Sequence, residues 1–123
     1  MAQHQEFDLE ERTIVFAENI IDLVRKIKCD SVNSRIISQL VGSGGSVGAN
    51  YCEATEAESK KDFIHKIGIS KKEIKETRHW LRLLARANSD RKDEIRKLWQ
   101  EAQELLLIFS KIIRSSKAKP VEN

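Results

Sequence analysis

At 123 residues, with 40% apolar and 33% charged side chains, the chain can bury one core and is too short for two. One proline, few aromatics and abundant Glu, Lys, Leu, Ile and Ala fit an all-helical domain, and the longest strictly apolar run, Leu105 to Phe109, is far too short to span a membrane. The net charge of +3 is unevenly spread: residues 1–59 carry 5 Lys/Arg against 10 Asp/Glu, residues 60–97 carry 13 against 6, and residues 98–123 carry 4 against 3. The excess of cations belongs to one segment, which directs attention to an anionic partner.

The opening MAQHQEFDLEER is acidic and has no apolar centre, so no secretory leader is expected. Cys29 and Cys52 are accordingly expected as reduced thiols of a cytoplasmic protein. The first helix is predicted over about 8–27. Ile14, Phe16, Ala17, Ile20, Ile21, Leu23, Val24 and Ile27 recur there at threes and fours. After the break Lys28-Cys29-Asp30-Ser31, with Asp30 or Ser31 as N-cap, a second helix is predicted over about 32–57. Its apolar face carries Ile36, Leu40, Val47, Tyr51 and Ala54.

That second segment contains VGSGGSVGAN, residues 41–50, which holds four of the five glycines. A Walker phosphate loop would need a lysine, and none occurs between Lys28 and Lys60. The dinucleotide fingerprint needs a third glycine where Val47 stands, and no strand precedes the run. The apolar positions stay within roughly 60° of one another if helical winding continues. Gly44 and Gly48, four apart, then form a face that another backbone can approach closely. Each glycine costs a helix about 0.5–1 kcal/mol relative to alanine, so packing, within the chain or across a subunit boundary, must compensate. The competing expectation is a kink near Gly44-Gly45.

Ser59-Lys60-Lys61-Asp62 resembles a capping box opening a third helix over about 60–87, with Phe63, Ile67, Ile74, Leu81 and Leu84 as its apolar face. Lys71, Lys75, Arg78, Arg82 and Arg86 follow spacings of 4, 3, 4 and 4, so they share about 80° of that helix. A cation row at one-turn spacing suits a phosphate backbone, with His79 and Trp80 flanking it. The alternative is a solvated face whose cations pair with Glu11, Glu18 and Asp22 of the first helix. Glu76-x-x-His79 is half of a di-iron pattern, but it occurs once and off the apolar stripe, so no metal or cofactor is expected.

Ser89 or Asp90 is expected to cap a fourth helix over about 90–114, whose Ile95, Leu98, Trp99, Ala102, Leu105, Leu106, Phe109, Ile112 and Ile113 form the cleanest stripe. The tail 115–123 is expected to be disordered. Four helices with short connections predict an antiparallel up-down four-helix bundle in a single domain spanning residues 1–123. Asn50 and Glu53 are read as a structural polar pair at the core or a subunit interface, because no nucleophile–base pair accompanies them.

Ser46-Val47-Gly48-Ala49-Asn50-Tyr51-Cys52-Glu53-Ala54 resembles the signature of the bacterial 23S rRNA intervening-sequence proteins: serine, aliphatic, two small residues, asparagine and, three further on, glutamate. Ser59-Lys60-Lys61-Asp62-Phe63-Ile64 and Ile67-Gly68-Ile69-Ser70-Lys71-Lys72-Glu73 are similar to the same family's third helix. The likeness covers residues 12–114. It departs at Ala54, where many relatives have glycine, which leaves the end of the second helix in question. The resemblance implies an up-down bundle, a ring-like homo-oligomer that is often a pentamer, and no established catalysis. It also implies a distant kinship with the accessory protein of diversity-generating retroelements, which works with a reverse transcriptase and nucleic acid. The sequence therefore predicts a non-enzymatic accessory bundle that binds RNA or DNA through its basic third helix, or else an adaptor for a protein partner.

Overall fold

A computed structural model describes residues 8–118. Helices α1 (Leu9–Val24), α2 (Ser31–Thr55), α3 (Lys60–Ala87) and α4 (Lys92–Ala118) follow one another, with a 3-10 turn at Ser89–Arg91 before α4. Asp8 caps α1 by accepting from the Glu11 amide at 3.1 Å, Asp30 caps α2 by accepting from Asn33 at 2.8 Å, and Ser59 caps α3 by accepting from Asp62 at 3.0 Å. Each oxygen satisfies one of the amides that a helix start leaves without an intrahelical partner. At α4 the expected side-chain cap from Ser89 or Asp90 is replaced by the 3-10 turn, which runs straight into the helix. The first helix stops at Val24 rather than near residue 27, although Ile27 still packs on the core. Residues 115–118 of the expected tail continue α4, and residues 119–123 lie outside the described part.

Contacts fix the direction of each neighbour. Asn33, Ser43, Val47 and Glu53 of α2 meet Asn88, the C-cap of α3, and Thr77, Ser70 and Lys66 within it, in reverse order. Gly44 and Gly48 meet Ile20 and Thr13 of α1, again reversed. Arg12 of α1 and Lys26 just past its end meet Glu101 and Glu94 of α4. All three pairs are antiparallel, as the up-down topology requires. The core is drawn from the predicted stripes, except that Ile14 and Ile21 of the first are exposed: Phe16, Ile20, Leu23, Leu40, Val47, Ile67, Ile74, Leu81, Leu84, Ile95, Leu105 and Phe109 are essentially closed to solvent. Burying one such side chain contributes about 1.5–3 kcal/mol. Tyr51 stacks on Phe109, ring centres 5.8 Å apart.

α2 is a continuous helix through its glycines, with no positive φ at any of them, so the helix does not break there. A Cβ at Gly44 would lie 2.5 Å from Ile20 Cδ1, and one at Gly48 would lie 2.8 Å from Thr13 Oγ1 and 3.7 Å from the Thr13 carbonyl carbon. The close neighbour is therefore α1 of the same chain. On the α3 side small hydroxyl residues do the equivalent job. Ser70 donates to the Val47 carbonyl at 2.9 Å, and the Thr77 and Ser43 hydroxyls lie 3.0 Å apart, with Thr77 also 2.7 Å from the Glu73 carbonyl. All three side chains are buried. Satisfied short polar groups cost little and let the helix axes approach.

The end of the bundle near the α1–α2 turn is closed by a two-way amide clasp. Asn33 Nδ2 donates to Asn88 Oδ1 at 3.1 Å, and Asn88 Nδ2 donates to Asn33 Oδ1 at 2.8 Å. Asn33 also reaches the Lys28 carbonyl, while Asn88 reaches that of Leu84. One pair thus ties the start of α2 to the end of α3.

Candidate nucleic-acid interface

The basic row on α3 divides according to its angle from the core. Lys75, Arg82 and Arg86 are exposed and Lys71 is half-buried. No ion pair among the described residues involves any of the four, and no hydrogen bond ties their side chains. Arg78 differs. It lies only about 60° around the helix from the buried Leu81, and its guanidinium turns inward to α4. There it donates to Gln103 Oε1 at 2.5 Å and stands 5.7 Å from the centre of the Trp99 ring. Its Nε is buried with no hydrogen-bond partner. Arg78 is a packing residue between α3 and α4, not a free surface cation.

Pairing of the row with the first helix is also absent. Among the described residues the ion pairs of α1 and of the turn after it go to α4: Arg12 grips Glu101 with two bonds of 2.8 and 2.9 Å and reaches Glu104 at 2.8 Å, while Lys26, just past the end of α1, meets Glu94 at 3.0 Å. Those carboxylates hold the Arg12 guanidinium well above its ordinary pKa. Arg91 adds a 2.9 Å bond to Glu94, and the hydrogen bonds from Arg91 and Lys26 lower the pKa of that carboxyl. Glu94, Glu101 and Glu104 of α4 are thus occupied on the α1 side.

On its opposite side α4 presents Lys92 and Arg96 to α3. Together with Arg82 and Gln100 they rim a groove of about 410 Å³ floored by Leu81, Ala85, Ile95 and Trp99. No carboxylate among the described residues lines it. The aromatic companion of the cations is therefore Trp99. Trp80 lies about 160° around α3 from Arg82, packs on the core, and meets His79 edge-on at 4.8 Å. Lys92, Arg96 and Trp99 were missed as site residues because they belong to another helix. Their four- and three-residue spacing was the available signal.

The remaining predicted positions lie away from the basic surface. Gly44 and Gly48 seat α1. Asn50 Nδ2 donates to the Ser46 carbonyl one turn back at 2.9 Å, and Glu53 is exposed, paired with Lys66 of α3 at 2.6 Å. Asn50 and Glu53 form no joint core patch. Glu76 and His79 are both exposed, and no group of three or more His, Cys, Asp or Glu gathers for a metal among the described residues. Cys29 and Cys52 are free and exposed near opposite ends of α2, about 30 Å apart at 1.5 Å per residue, too far for a disulfide. No helix among the described residues is long and apolar enough to cross a membrane.

The pattern of the 23S rRNA-intervening sequence protein family matches residues 5–111. A crystal structure of a protein of unknown function from the S23 ribosomal protein family of Bacteroides thetaiotaomicron is similar over 85% of this chain and 97% of its own, with a TM-score of 0.75 and 31% identity. No curated protein matches the chain.

Proposed function

The chain belongs to the 23S rRNA-intervening sequence protein family, and from that premise we propose that it is a non-enzymatic, cytoplasmic accessory protein that self-associates and binds RNA or DNA electrostatically. The observation that carries this reading is the unneutralised cation surface: Lys71, Lys75, Arg82 and Arg86 on α3, continued by Lys92 and Arg96 on α4. Those cations read no base edges in a fixed pattern, so their contacts go to phosphates and sequence preference is low. Arg78 supports the surface from beneath by bracing Trp99.

Fluorescence anisotropy of labelled single- and double-stranded RNA and DNA across a salt series tests the reading. Neutralising four to six phosphates of a single strand gives a slope of about −3 to −4 in log K against log salt. Arg82→Glu with Arg86→Glu should weaken binding at least tenfold and flatten that slope, with the melting temperature unchanged. No binding at low salt would refute the proposal.

Self-association is supported by a second apolar strip on α1. Ile14 and Ile21 belong to the predicted stripe yet remain 42% and 41% exposed, because they sit two helical turns apart on a face turned away from Phe16 and Leu23. In the adaptor reading the same strip receives a different protein. Light scattering separates the two: a mass above the 14.1 kDa protomer, reduced by Ile14→Glu with Ile21→Glu, supports the oligomer, and a monomer favours the adaptor.

A further inference from the structure

The groove between α3 and α4 has more chemistry than phosphate neutralisation needs. Its floor of Leu81, Ala85, Ile95 and Trp99 is apolar and aromatic, while its rim offers three cations and one amide, with no carboxylate among the described residues. At about 410 Å³ it falls in the range of small-ligand pockets, roughly 300–1,000 Å³. Trp99 is held in place by the Arg78 guanidinium on its ring, and Arg78 is itself fixed by Gln103. An aromatic surface kept rigid in this way loses little freedom when something stacks on it.

The ligand that fits is planar and apolar in one part and anionic in the part beside it. Lys75 and Arg86 carry the positive surface beyond the groove along α3, so more than one phosphate is accommodated, which fits a strand better than a lone nucleotide. A duplex keeps its bases paired inside and offers only phosphates. We infer that the groove receives an unpaired base of a single-stranded polynucleotide against Trp99, with the adjoining phosphates on Arg82, Lys92 and Arg96. Gln100, with an amide donor and an acceptor at the rim, is placed for the edge of that base. The inference rests on the nucleic-acid reading above and gives that reading a preference for single strands.

The test compares a short single-stranded RNA with the duplex of the same sequence, by anisotropy at one salt concentration. The wild-type protein should favour the single strand about tenfold, the worth of one base–aromatic stack. Trp99→Leu, which keeps apolar bulk in the groove, should remove that advantage while leaving duplex affinity and salt slope unchanged. Trp80→Phe leaves Trp99 as the only indole, and its fluorescence should be quenched by the single strand and not by the duplex. That second variant decides the matter if Trp99→Leu does not fold. Equal affinity for both forms with no quenching, while Arg82→Glu with Arg86→Glu still weakens binding, would overturn the inference and leave the phosphate reading standing. No binding of either form would overturn both.

Discussion

Alanine substitutions along α2 should change sign with the side of the helix they face. Cβ atoms at Gly42 and Gly45 would meet nothing within 4 Å, and both residues are exposed. Gly42→Ala and Gly45→Ala should therefore each stabilise by about 0.5–1 kcal/mol, the helix-propensity difference. At Gly48 the same gain is opposed by a collision. The new Cβ lies 2.8 Å from Thr13 Oγ1 and 3.1 Å from Thr13 Cβ. Thr13 cannot swing clear, because it is β-branched, buried, and its hydroxyl donates to the Glu10 carbonyl at 3.0 Å. α1 must then move bodily, at about 1–3 kcal/mol, leaving Gly48→Ala destabilised by up to about 2 kcal/mol. Gly44→Ala falls between, since only the tip of Ile20 obstructs it. Thermal and urea melts of the four variants, at one protein concentration because assembly shifts stability, read the order directly. About 1 kcal/mol corresponds to roughly 3–5 °C for a domain of this size. A Gly48→Ala protein as stabilised as Gly45→Ala would refute the close α1–α2 contact. Destabilised Gly42→Ala and Gly45→Ala proteins would mean that the outer face of α2 is covered.

The amide clasp predicts a loss of about 1–3 kcal/mol for Asn88→Ala, because Asn33 is left buried and underbonded; a double-mutant cycle with Asn33→Ala should return strong coupling in urea melts. Glu94 has a carboxyl pKa lowered in the fold, so it adds stability above the ordinary glutamate pKa that disappears as pH falls through its folded value. Glu94→Gln should accordingly melt lower than wild type at neutral pH and match it in acid, as followed by circular dichroism. Both cysteines should react with a thiol reagent in the folded protein, and oxidation should give no intramolecular crosslink on a non-reducing gel.

The four stripes were legible because burial in a bundle follows the helical period. Phe16, Leu40, Ile74 and Phe109 each lie where 3.6-residue spacing puts them. What periodicity could not rank was a helix with two apolar faces, hence Ile14 and Ile21 in the predicted core. Nor could it foresee that Ser43, Ser70 and Thr77 are buried, since that depends on partners across α2 and α3: Thr77 finds Ser43, and Ser70 finds the Val47 carbonyl. The glycines were readable as sites of close approach, but not which helix approaches. That answer lies in Thr13 and Ile20, more than twenty residues earlier.

Sorting of charge followed a similar rule. The basic excess of residues 60–97 is visible in composition, but whether it survives folding depends on α4, which touches both α1 and α3. Glu101 and Glu104 occupy Arg12, and Glu94 occupies Lys26 and Arg91. Each of these pairs is partly solvent-exposed and adds little to stability, so their larger consequence is electrostatic placement. With those carboxylates engaged on one side of α4, the other side meets α3 with Lys92, Arg96, Gln100 and Gln103, none of which can neutralise Arg82 or Arg86. Moving a carboxylate to that side, as in Gln100→Glu, should pair it with Arg82 or Arg96 within the groove. Phosphate affinity should then fall several-fold with no loss of stability, as anisotropy and a thermal melt of one variant would show. Unchanged affinity would mean that the groove rim does not take part in binding, and that any phosphate contact is confined to Lys71, Lys75 and Arg86.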